Sequence, residues 1–145
     1  IMDSLGLDIP AGRIERYRSF ALNHREAYSK FMKALADSSI YPVVFHCQGG
    51  KDRAGFASAI LGRTLGATHE EIMQDYLTTN LHNYEGLQKM QEVPPSIKSI
   101  IGAHAEQMEA AFAAIEAEYG SFDNYLSEGL RLTDADLAAI RDNLR

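Results

Sequence analysis

The sequence predicts an α/β fold: a central, mainly parallel sheet flanked by helices, to which this chain contributes one central strand and otherwise helices. Two observations predict it. Tyr41-Pro42-Val43-Val44-Phe45, ending at His46, is the one run rich in β-branched and aromatic residues. Nearly everywhere else apolar residues recur at helical spacing. An apolar strand of this kind is normally covered on both faces and paired on both edges in a parallel sheet. One strand cannot make a sheet, so the remaining strands are expected from outside the chain.

The elements follow in order. Ile14, Tyr17, Phe20, Ala21, His24, Tyr28, Phe31, Met32 and Leu35 keep a helical period. The strand Tyr41 to His46 comes next, and from Arg53 the residues Ala54, Phe56, Ala57, Ala59, Ile60, Leu61 and Leu65 read as a largely buried helix. Thr68-His69-Glu70-Glu71 is a capping-box pattern opening a helix through Ile72, Tyr76 and Leu77. Asn80 on that helix is read as a cap, with holding a loop as the other reading. Pro94-Pro95 breaks the chain before a long amphipathic helix that buries Ile97, Ile101, His104, Met108, Phe112, Ile115 and Tyr119 and stops at Gly120. That stripe is read as core; a lid or a membrane-contacting face is the other reading of it. Tyr84 and Leu87 lie in the connector before it, where they could line a pocket. Ser121 opens a short helix to about Glu128, and Thr133 opens the last one, with Leu137 and Ile140 inward.

Between the strand and the third helical stretch lies His46-Cys47-Gln48-Gly49-Gly50-Lys51-Asp52-Arg53-Ala54-Gly55, which holds the only cysteine. Backbone N–H groups at a helix start lack intrahelical partners, and the helix dipole there favours negative charge. Gly49 and Gly50 let the chain curl so that these groups converge into an anion cradle. The same surroundings lower a thiol pKa, making Cys47 a candidate thiolate nucleophile. Arg53 offers a planar fork matched to two phosphate oxygens, and Lys51 adds a mobile charge. A carboxylate beside an anion site needs either a proton or a basic partner, so Asp52 is a candidate general acid or an anchor for a basic side chain.

Other devices fail on spacing. A Walker A loop would require glycine at Phe45 and Ser or Thr at Asp52. One cysteine with scattered His24, His69, His82 and His104 has no zinc-ligand spacing, and a thioredoxin-type pair needs a second cysteine. No metal or other cofactor is therefore expected. An inert buried cysteine would explain neither the glycines nor the arginine.

His-Cys-x5-Arg resembles the phosphate loop of the protein tyrosine phosphatase superfamily, the cysteine-dependent phosphatases. The form here, H-C-x-x-G-K-D-R-[T/A]-G, resembles that of a bacterial atypical branch acting on phosphotyrosine and, in some members, on phosphoserine, phosphothreonine or phosphoinositides. Asp75-Tyr76-Leu77-Thr78-Thr79-Asn80 is similar to the D-Y-L-x-S-N helix of that branch. Tyr119 to Leu126 and Gly129-Leu130-Arg131-Leu132-Thr133 are similar to its C-terminal segment.

The resemblance implies a phosphotyrosine phosphatase-like fold and a mechanism. Cys47 would attack phosphorus. Arg53 and the loop formed by Gln48, Gly49, Gly50, Lys51, Asp52, Arg53 and Ala54 would hold the phosphate, and Asp52 would protonate the leaving oxygen. His46 and Asp75 are expected to support the loop. Most relatives carry Thr or Ser after the arginine, where its hydroxyl helps the thiolate leave; Ala54 lacks it, so slower breakdown of the phosphoenzyme is expected. In the resembled family several strands precede this segment. Residues 1–145 are accordingly expected to be the C-terminal part of a single cysteine-phosphatase domain, its sheet completed by missing N-terminal strands or another chain.

The implied function is hydrolysis of phosphate monoesters through a cysteinyl-phosphate intermediate, with protein phosphotyrosine as substrate. Phosphoinositides, or phosphate binding without turnover, are the alternatives. Charge agrees with an anionic substrate. Residues 1–66 carry nine Lys/Arg and six Asp/Glu, whereas residues 67–145 carry five and fourteen, so the loop lies in the basic half of a chain whose net charge is −6. That total, and the lack of a basic-aromatic stripe, argue against nucleic acid as a partner. No apolar run approaches the roughly 20 residues of a membrane span. No signal-peptide pattern opens the chain, and a lone cysteine suits a reducing compartment, which leaves both a cytoplasmic and a secreted bacterial protein open.

Overall fold

The computed structural model describes residues 11–82, 94 and 101–145. Their elements are α1 (Ala11–Asn23), α2 (Arg25–Leu35), a 3-10 turn (Ser38–Ile40), α3 (Arg53–Thr64), α4 (His69–His82), α5 (Ala105–Tyr119), a single turn α6 (Phe122–Asn124) running into a π turn (Tyr125–Gly129), and α7 (Asp134–Asn143).

No strand occurs among the described residues, which overturns the expected parallel sheet and its central strand at Tyr41–His46. The segment is irregular chain, and no ladder of backbone hydrogen bonds joins it to another described segment. A β-rich run becomes a strand only when a second backbone lies alongside to take its N–H and C=O groups, and among the described residues the rest of the chain is helix and turn. The consequence is exposure: Val44 is 89% exposed, and Val43 and Phe45 lie half out of the core. The segment is held at its ends. Tyr41 Oη donates to the Leu35 carbonyl at 2.7 Å, and the Phe45 ring meets Phe31 edge-on at 4.9 Å.

The helices follow the sequence period, with its breaks where local chemistry sets them. The first apolar stripe is two helices, not one. His24 at the N-cap of α2 has non-helical angles (φ −117°, ψ 25°), and the stripe resumes on α2 with Tyr28, Met32 and Leu35 buried. Gly66 (φ +94°) ends α3, with Ala67 N–H donating to Gly62 O at 2.9 Å and Gly66 N–H to Arg63 O at 3.1 Å. The Thr68 capping box forms, Thr68 N–H to Glu71 Oε2 at 2.7 Å and Glu71 N–H to Thr68 Oγ1 at 3.2 Å. A second box, Thr133 with Asp136, opens α7.

Within the described residues the long helix begins at Ala105, with His104 at its N-cap, and Gly120 (φ +79°) closes it. Met108, Ile115 and His104 are buried as expected, Ile101, Phe112 and Tyr119 partly so, and the stripe also buries Gln107 and Ala111, which the apolar period does not mark. Ile97, Tyr84 and Leu87 lie outside the described residues. Asn80 is not a cap: its amide reads both backbone groups of Ala103, donating to the carbonyl at 2.7 Å and accepting from N–H at 2.8 Å.

The core gathers between α1, α3, α4 and α5, with α1 packed along the length of α5. Tyr17, Phe56, Met108 and Tyr125 are fully enclosed there, and Phe20, Tyr28 and Phe56 form an aromatic cluster beneath the start of α3. This cluster fixes the helix whose first turn carries the cysteine loop. No described helix is long and apolar enough to cross a membrane.

Candidate active site

The loop from Cys47 to Arg53 follows the Tyr41–His46 segment and enters α3. Gly50 makes the turn in the left-handed region (φ +67°), which a side chain rarely adopts. The Cys47 thiol sits half-buried at the centre, and the backbone N–H groups of Ala54, Gly50 and Gly49 lie close enough to favour its thiolate. Burial alone pushes the thiol up. The three amide donors and the Arg53 charge outweigh it, so the Cys47 pKa lies below its ordinary value. This is a concave ring of donors at a helix start with a thiolate inside it, an arrangement able both to hold an oxyanion and to attack it.

Arg53 is exposed at the first position of α3, its charge felt at Cys47 and at Tyr28. Tyr28 Oη lies 3.4 Å from the Arg53 carbonyl, beneath the loop. Gln48 and Gly49 are exposed on the outer rim, and Ala54 is half-buried. The His46 ring places Nδ1 3.3 Å from the Cys47 carbonyl. Asp75 does not join the loop: it is exposed on α4, and among the described residues no hydrogen bond or ion pair links it to Arg53.

Asp52 occupies the N-cap position of α3, yet its side chain does not cap the helix. It turns inward. Lys51 Nζ donates to both carboxylate oxygens at 3.0 and 2.9 Å, Tyr17 Oη donates to Oδ1 at 2.7 Å, and Arg13 lies 3.7 Å from Oδ2. Burial works against the charged carboxylate, but the Tyr17 and Lys51 hydrogen bonds and the Lys51 and Arg13 charges prevail, and the Asp52 pKa is lowered. Lys51 is 9% exposed. Burial lowers its pKa and Arg13 and Arg16 push the same way, against the pull of Asp52. Lys51 is thus a charge bound to its neighbour rather than the free mobile cation suggested by the sequence.

Three groups here carry no signal in the loop motif: Arg13 and Tyr17 on α1, and Tyr76 on α4. Tyr76 stands inside the D-Y-L segment, but its hydroxyl contact with Tyr17 at 2.7 Å spans 59 positions and has no local signature.

Beside the loop opens a cavity of about 470 Å³. Arg53, Ala54 and His46 form its loop side, and Phe20, Tyr28 and Phe45 line its apolar walls. Arg16 adds a second guanidinium at the same cavity. No cluster of three His, Cys, Asp or Glu side chains able to hold a metal occurs among the described residues.

Known proteins similar to this chain are phosphatases by name. A protein of Cupriavidus necator whose name marks it as a candidate tyrosine-protein phosphatase is 33% identical over 131 residues, covering 86% of this chain and 47% of the relative. The triple specificity protein phosphatase PtpB of Mycobacterium tuberculosis is 28% identical over 134 residues, covering 79% and 48%. A tyrosine-protein phosphatase of Nostoc commune is 27% identical over 137 residues, covering 86% and 44%. The chain therefore spans about half the length of the curated relatives it matches. The sequence profile of the tyrosine phosphatase family matches residues 8–145, nearly the whole chain, and the chain belongs to that family.

Proposed function

We propose that the protein is a cysteine-dependent phosphatase that hydrolyses phosphate monoesters, with protein phosphotyrosine as its substrate class. The observation that carries this reading is the half-buried Cys47 thiol in a glycine loop at the start of α3, its pKa lowered by the nearby backbone N–H groups and by Arg53. The thiolate attacks phosphorus, so that an S–P bond forms while the bond from phosphorus to the leaving oxygen breaks. The Arg53 fork and the loop amides take the charge that builds on the equatorial oxygens. Asp52 gives its proton to the leaving oxygen. Water then attacks the cysteinyl phosphate and returns a proton to Asp52; the S–P bond breaks, and its electron pair restores the Cys47 thiolate as inorganic phosphate leaves. The aromatic walls of the neighbouring cavity suit an aryl leaving group.

Because the Asp52 pKa is lowered, its proton is available only at acid pH, and the descending limb of kcat/KM against pH belongs on the acid side of neutrality. The exposed apolar run Val43–Phe45 is a surface for which we propose a cover, another part of the protein or another chain.

The test uses the full-length protein with a phosphotyrosine peptide and a soluble phosphoinositide. Wild type is expected to release phosphate from the peptide. Cys47→Ser is expected to lose turnover while still binding vanadate, since the amide cradle remains. Release from the inositol lipid alone would transfer the assignment to that substrate class. Vanadate binding by wild type without any turnover would overturn the enzyme reading in favour of a phosphate-binding protein.

A further inference from the structure

Asp52 is the end of a buried chain of hydrogen bonds that crosses the core. Tyr17 Oη on α1 is 2.7 Å from Asp52 Oδ1 and 2.7 Å from Tyr76 Oη on α4. Tyr76 Oη is 3.2 Å from the side-chain amide of Gln107 in the first turn of α5. Tyr17 and Gln107 are 0% exposed and Tyr76 is 4% exposed. The other end of the Gln107 amide, Nε2, has no hydrogen-bond partner among the described residues. An amide with one end idle in a closed core costs free energy that an apolar residue of the same shape would not.

Counting protons gives that residue a purpose. The chain has three contacts, and with Asp52 ionised its two tyrosines bring two protons, because each hydroxyl donates once. If Gln107 faces Tyr76 with its oxygen, one contact is left with two oxygens and no proton between them. Two arrangements fill all three. With Asp52 as carboxylate, the amide presents Nε2, which donates to Tyr76; Tyr76 donates to Tyr17, and Tyr17 donates to Asp52. With Asp52 as carboxylic acid, the order reverses: Asp52 donates to Tyr17, Tyr17 to Tyr76, and Tyr76 to Gln107 Oε1. The two ends of an amide are close in size, so the exchange needs two hydroxyl rotations and one amide turn, with no new space. Leu or Met could terminate neither arrangement, and a backbone carbonyl only the second.

We propose that Tyr17, Tyr76 and Gln107 form a reversible hydrogen-bond relay that positions Asp52 and keeps its carboxyl group bonded both with and without its proton. The three are positioning residues, acting through Asp52, and their role rests on the reading of Asp52 as the proton donor of the proposed phosphatase. The charges facing Asp52 are Lys51 from the loop and Arg13 from α1, with Arg16 acting on Lys51; α4 and α5 bring the neutral Tyr76 and Gln107, and buried His104 at the α5 N-cap turns its backbone N–H to Tyr76. Lys51 and Arg13 hold the carboxylate ionised whether or not the relay is intact, so breaking the relay weakens that hold without ending it.

The experiment follows Asp52 in the full-length protein by two readouts: the descending limb of kcat/KM against pH with an aryl phosphate, and the carboxyl-carbon NMR shift of Asp52 against pH. Tyr17→Phe removes the direct donor and is expected to move both upward by about half a unit to one unit. Gln107→Leu, two contacts away, is expected to move both in the same direction by less. The double variant is expected to match Tyr17→Phe, since a chain cut at Tyr17 no longer transmits the loss of Gln107. Tyr76→Phe, which cuts the relay in its middle, supplies the same test if Gln107→Leu does not fold. Rates that fall equally at every pH, with an unmoved carboxyl titration, would mark packing alone and overturn the relay, as would additive shifts in the double variant. A carboxyl titration that moves while the rate limb stays would uphold the relay and overturn the acid role of Asp52.

Discussion

At the scale of single residues, the departure that matters most is Ala54. Its N–H is among the groups that favour the Cys47 thiolate, which puts this residue near the atom that must leave phosphorus in the second step. A hydroxyl there would donate to the departing thiolate; a methyl group cannot. Ala54 is half-buried and faces the cavity, which leaves room for two more heavy atoms. Ala54→Thr is therefore expected to speed breakdown of the phosphoenzyme by about tenfold, the worth of one charge-assisted hydrogen bond of about 1.4 kcal/mol. Turnover should rise and any pre-steady-state burst should shrink. Unchanged turnover would mean that phosphoenzyme hydrolysis does not limit the rate or that the hydroxyl does not reach sulfur.

The same residue scale shows what a sequence discloses and what it hides. Cys47, Gly50 and Arg53 are legible because their chemistry is local: a thiol, a left-handed turn and a fork within seven positions. The environment of Asp52 is not. Its partners Arg13 and Tyr17 come from 39 and 35 positions upstream, brought in by the packing of α1. The sequence leaves Asp52 open between proton donor and partner of a basic side chain, and the Lys51 contact gives it the second of these in the resting protein.

Element boundaries are readable where a cap sets them and unreadable where a distant partner does. Thr68 and Thr133 announce their helices because a capping box closes within four residues. Gly120 announces an end for the same reason. The segment Tyr41–His46 has the composition of a strand, but pairing is a property of two backbones, and a single segment carries only half of it. Gln107 is not legible from the apolar period, because its burial follows from the packing of α5 against distant helices. Gly129 illustrates an element held by close approach. A Cβ at that position would lie 2.8 Å from Tyr125 Cδ2 and 3.1 Å from Tyr119 Cζ. The Tyr125 ring cannot easily retreat, being fully buried with its hydroxyl donating to the Ala21 carbonyl at 2.9 Å. Gly129→Ala is expected to destabilise the protein by about 1–3 kcal/mol, the usual cost of overpacking, and to lower the urea midpoint accordingly. An unchanged midpoint would show that the π turn yields freely.

At the scale of the whole molecule, four tyrosines tie the core to pH. Tyr17, Tyr28, Tyr76 and Tyr125 all have raised pKa values, with burial the largest cause in each, and Tyr76 is pushed up to about 12. In the unfolded chain these phenols lose their protons near the ordinary value of 10.0, whereas in the folded protein they keep them to higher pH. Over that interval the folded state binds more protons, so stability falls as pH rises. Below pH 10 the contribution is fully present. Lys51 and Cys47, whose pKa values are lowered, work in the opposite direction as the pH approaches their ordinary values, but they are two groups against four. The melting temperature is therefore expected to hold to about pH 10 and then drop steeply. Tyrosinate absorbance should lag behind pH and then appear together with the loss of helix. Tyr28 and Tyr125 are not members of the Asp52 relay, so Tyr17→Phe should soften this alkaline transition without removing it. A melting temperature that declines smoothly from neutral pH, with all seven tyrosines ionising near 10 while the helices persist, would mean that the buried phenols reach solvent without unfolding and that the core is looser than its packing indicates.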